Sequence, residues 1–392
     1  MSYTLKFFET PLVEFEMMPA DDGFHVKVLF CKWAKADMLP LGMKVQHGST
    51  ESLEKALAQW LQERVQHSER VNMDAVCAQL GLNENDIEGA IVVSRCLSLH
   101  DAYWVVPTDC QATLAEMNLY TNELSEDIAH IALTGEGEVA DGLAEESYVL
   151  TPEFTTAGPR PKCWKREGDD IYLYKAGSTD GDASGQEPYA EYYAADLAKQ
   201  LGYEAVDYDL KMVDGKLCSV CKVFTNEKIA YVGADQLIAE PGLEAAIRYF
   251  YGQAQVTGYD DILDNFANML IFDALTCNTN RHLGNFGIML DSHANQPIAT
   301  APMFGNGHAL FPAATEEDFE DIAGYAAQLK PALYDDFIAT AVRSMGPRQI
   351  EKLAGAVDFT FTRHPEFNWP EWRLIALEEF IHERARQLLG VR

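Results

Sequence analysis

The chain has 392 residues, 30 of them Lys or Arg and 61 Asp or Glu, for a formal net charge of −31, and 47% of it is hydrophobic. That length exceeds what one core comfortably holds, so two or more packed units are expected, and the composition is that of a globular chain rather than a disordered one. So acidic a surface repels phosphate backbones and anionic bilayers, which counts against direct nucleic-acid or membrane binding.

The opening run, MSYTLKFFETPLVEFEM, lacks the basic-then-apolar layout of a signal peptide, and no apolar stretch is long enough to span a bilayer. A cytoplasmic location is therefore expected. Residues 1–147 mix strand-like runs such as FHVKVLF with helical ones such as SLEKALAQWLQERV, where Leu53, Leu57, Trp60 and Leu61 recur on one face. This accessory α/β unit needs only core packing to explain it. The run EGEVADGLAEES, residues 136–147, reads as an acidic linker and sets a boundary near residue 148.

Strand-like runs follow at 171–175, 206–210 and 217–225, with a helix over about Pro188–Leu201 that places Tyr192, Ala195 and Leu201 near one face and stops at Gly202. Within the third run, Cys218 and Cys221 form a C-x-x-C. Positions three apart on a strand face opposite ways, so these thiols do not converge on a metal, and eight cysteines without scaffold spacing read as reduced thiols. Residues 148–235 thus form a small β-rich lobe. From 236 to 392 the chain turns helical, with GLEAAIRYFYG, DDILDNFANMLIFDALTCN and a last helix starting near Pro370 that buries Leu374, Leu377, Ile381, Ala385 and Leu388.

The sharpest segment is NTNRHLGNFGIML, residues 278–290, a polar loop between a long amphipathic helix and an apolar strand. A merely well-capped turn accounts for its Gly and Asn but not for Arg281 and His282 side by side. Kinase catalytic loops carry an aspartate base and, five residues on, an asparagine that holds magnesium. Positions 280 and 285 have that separation, with Asn at both.

NTNRHLGNFG resembles the N-T-D-R-H-x-G-N-F-G loop of HipA-domain kinases, a bacterial family. TPEFTTAGPRPKCW resembles that family's phosphate loop, IYLYKAGS its lysine strand, EYYAADLAKQLG its glutamate helix, CKVFT the segment joining the lobes and APMFGNGHALF the metal-binding strand end. LPLGM, WLQERV and LSLHDAYWV resemble the amino-terminal part of a subgroup, so the likeness covers almost the whole chain. It implies an α+β, two-lobed, protein-kinase-like fold with a small β-rich lobe, a large helical lobe and the accessory unit in front. It implies a serine/threonine protein kinase of toxin or defence type, with ATP and Mg2+ as cofactors, a protein substrate, and an antitoxin or regulatory protein as partner.

Carried over residue by residue, the resemblance has Lys175 hold the α and β phosphates and Glu191 pair with it. A lysine ending an apolar strand needs an anion if it points inward, so that pair also makes sense by itself. Thr155, Thr156, Gly158 and Lys162 would belong to the loop over the phosphates, Gly158 for close backbone approach and Lys162 for charge. The backbone of Lys222, Val223 and Phe224 would meet adenine, and Thr155 and Thr156 would be candidates for regulatory phosphorylation. Arg281, His282 and Asn306 match the family loop and strand end, and Asn285 matches its metal ligand. Two positions depart: Asn280 stands where the family has its catalytic Asp, and Gly305 where it has a metal-binding Asp. An amide cannot take the proton and glycine supplies no ligand, so transfer should be impaired. A pseudokinase acting as a nucleotide-binding scaffold is the alternative reading.

Overall fold

The computed structural model describes residues 1–20, 23–43, 45–65, 69–83, 86–138, 148–179, 181, 184–259 and 261–390. Most of the predicted acidic linker, from residue 139 on, lies outside them. The chain forms two compact units: one of Met1–Tyr174, Thr225–Ala230 and Asp291–Asn295, the other of Lys175–Phe224, Tyr231–Leu290 and Gln296–Arg392.

The first unit opens with a sheet of β1 (Ser2–Phe7), β2 (Thr10–Ala20), β3 (Gly23–Cys31) and β4 (Tyr103–Pro107), in the order β3-β2-β1-β4. Across β1 and β2, Tyr3 lies opposite Phe15 and Leu5 opposite Val13, all four buried, before the register shifts by a residue between Leu5 and Lys6. The helix Thr50–Val65 buries Leu53, Leu57 and Leu61 as predicted. Trp60, predicted on the same face, is only half-buried; its ring meets Tyr103 edge-on and lies under the Arg64 guanidinium. Arg64 forks onto Asp101 at 2.8 and 2.7 Å and also donates to the carbonyls of Cys96 and Tyr103. The WLQERV and LSLHDAYWV segments are thereby tied together. Two further strands, β5 (Lys162–Glu167) and β6 (Asp170–Ala176), pair across a turn at Gly168, whose φ of +62° suits glycine.

Beside Asp101 and Arg64, burial pushes the His100 imidazole down to about 4. Unfolded, this ring protonates near its ordinary 6.5, so between those values the unfolded chain binds the extra proton and stability falls as pH drops through the window. Melting temperatures from pH 7 to 4 are expected to fall more steeply for the parent than for His100→Gln; parallel curves would contradict this.

The second unit begins with Lys175 and the helix Glu187–Gln200, which ends before Gly202 at φ +68°. Ala195 and Leu201 are buried as expected, but Tyr193 rather than Tyr192 enters the core, stacking on Trp369 at 5.4 Å. The run predicted as a strand from 206 starts only at β7 (Asp209–Val213), since the Val206 N–H bonds the Met303 carbonyl instead. With β8 (Lys216–Lys222) it forms a hairpin closed by Asp214 and Gly215, both at positive φ, the turn that matches strand twist. The strand ends at Lys222, three residues short of the predicted 225. Cys218 and Cys221 lie buried in it as thiols outside any disulfide.

The last sheet has the order β11-β10-β9, with β9 (Ile229–Gly233), β10 (Gly287–Asp291) and β11 (Gln296–Thr300). Against it pack the helices Leu243–Thr257 and Asp261–Thr276, and the helix Glu371–Leu389, which packs on Asp261–Thr276, buries all five predicted positions. Asp261–Thr276 is buried along almost its whole second half, from Asn268 to Thr276, so what it carries at its end is rigidly placed. Among the described residues no helix is long and apolar enough to cross a membrane.

Candidate active site

In the first unit, the turn Glu153–Thr155 leads into the predicted phosphate loop. Gly158 has φ +96°, and a Cβ there would stand 2.6 Å from Lys162 Nζ, which reaches back to donate to the Ala157 carbonyl at 2.8 Å. The positive φ favours glycine here, while the lysine tip lying against it is the far end of a flexible side chain. The Thr155 hydroxyl donates to the Leu97 carbonyl at 2.8 Å. The buried Thr156 hydroxyl donates to the Pro152 carbonyl at 2.7 Å and accepts from Trp164 Nε1 at 2.9 Å. Both predicted modification sites have engaged hydroxyls, and of the two only Thr156 is buried, Thr155 being part-exposed.

In the second unit, Lys175 forms an ion pair with Glu191, whose side chain is fully buried and whose other oxygen accepts from Ser219. A buried carboxylate needs this satisfaction: without a partner it carries a desolvation penalty of several kcal/mol. The Lys175 ammonium also lies 5.3 Å from the Tyr208 ring. The Tyr208 hydroxyl meets the Cys221 thiol and the Gly305 N–H, and burial raises its pKa strongly and pushes the thiol up to about 12. Tyr208 therefore joins the lysine to the irregular segment at 305, five residues past the end of β11.

The loop after the helix Asp261–Thr276 is organised by Arg281, which has no exposed surface. Its guanidinium meets the Asp273 carboxylate at 2.9 and 3.0 Å, the carbonyls of Asn285 and Phe304 at 2.9 and 2.6 Å, and Asn306 Oδ1 at 2.6 Å. Asn278 Nδ2 bonds Asp273 and Asn306 as well, and Asn278 Oδ1 accepts from the Asn280 N–H. Burial pushes the Asp273 carboxyl up, against the pull of Arg281 and Asn278. Asn285 Nδ2 closes the loop onto the Asn280 carbonyl at 2.8 Å. His282 Nδ1 accepts from the Gly284 N–H at 3.1 Å, which shapes the turn.

Gly305 has φ +71°, and a Cβ built on it would stand 2.9 Å from Asn285 Oδ1. Positions 285 and 305 therefore face each other. As they stand they do not make a magnesium site: Asn285 offers one neutral oxygen, Gly305 offers none, and no cluster of three or more metal-ligating side chains occurs among the described residues. Beyond the exposed Lys222 at the end of β8, and Val223, the Phe224 ring packs against Tyr231 and Phe304 at 5.5 and 5.7 Å.

Sequence reasoning missed Asp273, Asn278, Tyr208 and Ser219 as supports of these groups. A lone Asp inside the apolar run LIFDALT was the available signal, because a charge there needs a buried partner. Nothing in the sequence marked Tyr208 or Ser219.

No family model matches the chain, and no curated protein matches it in sequence. Among solved structures it is similar to HipA of Shewanella oneidensis MR-1, in a structure of that toxin–antitoxin system's HipA, HipB and operator DNA complex, with a TM-score of 0.53 at 13% identity over 99% of this chain and 98% of that one. A second similarity, to the Helicobacter pylori proinflammatory kinase CtkA, has a TM-score of 0.42 at 19% identity over 58% of this chain and 90% of that one, and carries no weight for the fold. The fold of this chain is the α+β, HipA-like kinase fold.

Proposed function

We propose that the chain is a HipA-like serine/threonine protein kinase of toxin or defence type that binds ATP and whose phosphoryl transfer is weakened at Asn280 and Gly305. The observation that carries the reading is the Lys175–Glu191 pair: the glutamate is sealed by Ser219, while the lysine side chain keeps 11% exposure. A cation so fixed is suited to an anionic ligand such as a nucleotide's phosphates. In this reading residues 1–147 are an accessory unit, 148–235 the small lobe and 236–392 the helical lobe. Thr156, Gly158, Lys162 and Lys175 bind phosphate, and the Lys222–Phe224 backbone meets adenine. Asn280 stands at the base position, and Arg281 acts by positioning Asn285 and residue 305. A cytoplasmic protein is the substrate, and an antitoxin or regulatory protein is the partner, as HipB accompanies HipA in the similar structure.

The reading is tested by titrating ATP calorimetrically with and without magnesium. ATP should bind in both conditions with affinities within a few-fold of each other, because the metal ligands are incomplete. Lys175→Met should weaken it by about tenfold or more, the loss of a charge-assisted contact. Absence of ATP binding by the parent in either condition would remove the reading. The departures at Asn280 and Gly305 favour a second one, a pseudokinase that binds nucleotide as a scaffold.

A further inference from the structure

We propose that Arg70 and Val71, from the amino-terminal region, hold the Glu153–Lys162 loop in the shape that receives a nucleotide's phosphates, so that this region sets ATP affinity. The inference rests on the nucleotide reading above and gives the accessory unit a task within it.

The Arg70 guanidinium has no exposed surface and spans the loop from end to end. Nη1 donates to the carbonyls of Glu153 at 2.5 Å and Thr156 at 3.4 Å; Nη2 donates to the Lys162 carbonyl at 2.6 Å and to the Glu153 carboxylate. The middle of the loop is held by the next residue, whose N–H donates to the Pro159 carbonyl at 2.9 Å. The other Glu153 oxygen accepts from the Trp164 N–H at 2.8 Å, fixing the start of β5.

A buried arginine that only neutralised Glu153 would not need the carbonyls at both ends of the loop. Three backbone acceptors on one rigid fork instead define the distance between those ends. Arginine suits this because its donors diverge in a plane, whereas a lysine ammonium is a point. A loop of this length left unrestrained has many conformations, and binding phosphates would have to select among them. Restraining it beforehand removes that cost from the binding step. Arg70 is accordingly a positioning residue, acting on phosphates through the loop.

Arg70→Met alone would strand the Glu153 charge, so the working variant is Arg70→Met with Glu153→Gln. It removes both charges and keeps an acceptor for the Trp164 N–H. ATP, ADP and adenosine are titrated into the full chain and into this variant, and hydrogen exchange is followed over residues 153–164. The variant should bind ATP and ADP about tenfold or more weakly, bind adenosine within about twofold of the parent, and exchange its loop amides faster. ATP binding equal to the parent's would overturn the inference alone, and so would an equal loss for all three ligands, which marks general damage. A parent that binds none of the three would overturn the nucleotide reading and this inference with it.

Discussion

Asn280→Asp combined with Gly305→Asp is expected to raise phosphoryl transfer from ATP by about a hundred- to ten-thousand-fold, with little gain from either change alone. A carboxylate at 280 can accept the hydroxyl proton that an amide cannot. A carboxylate at 305 projects toward Asn285 Oδ1, since a Cβ at that position already stands 2.9 Å away. The two then offer a metal ligand set that is incomplete in the present chain. Aspartate tolerates the left-handed backbone at φ +71° better than most residues, so the fold should survive at a cost of roughly 1 kcal/mol, with Asn285 giving way slightly. Label transfer from ATP is measured for all four combinations, alongside the effect of magnesium on ATP affinity, which should appear only with Asp at 305. A folded, ATP-binding double variant that transfers nothing would leave the pseudokinase reading standing.

Arg281→Ala is expected to lower the melting temperature by about 6–20 °C. The change strands the Asp273 carboxylate, which has no exposed surface, and stranding a buried charge costs about 3–5 kcal/mol, at about 2–4 °C per kcal/mol for a unit of this size. It also frees the carbonyls of Asn285 and Phe304, so the 285 and 305 positions lose their common anchor. Arg281→Met with Asp273→Leu should recover part of the loss, because no charge is left unpaired. A melt of Arg281→Ala within 2 °C of the parent, on this scale about 1 kcal/mol or less, would mean the network contributes little.

The elements that proved legible are those whose burial has a single period. The Leu53–Leu57–Leu61 stripe and the five buried positions of the last helix follow from spacing alone, because one face of each helix meets one core. The helix Glu187–Gln200 is buried nearly all round, so its pattern does not say whether Tyr192 or Tyr193 turns inward. The strand beginning at Asp209 was placed early because Val206 bonds a residue almost a hundred positions away, which local sequence does not record. In the candidate site, the loop and the lysine strand were legible through a family likeness carried by NTNRHLGNFG and IYLYK. Of the supports, Asp273 left a trace as a charge inside an apolar run, whereas Tyr208 and Arg70 act through partners that become neighbours only on folding.

The hydrogen bond from Trp164 Nε1 to Thr156 Oγ1 has an optical consequence. A buried indole whose N–H is engaged by the loop emits according to that loop's conformation. Release of the loop would break the bond and admit water to the ring, shifting its fluorescence to longer wavelength. The chain has six tryptophans, so replacing the other five with Phe would leave Trp164 as a single intrinsic reporter of loop opening, readable by stopped flow without any added label.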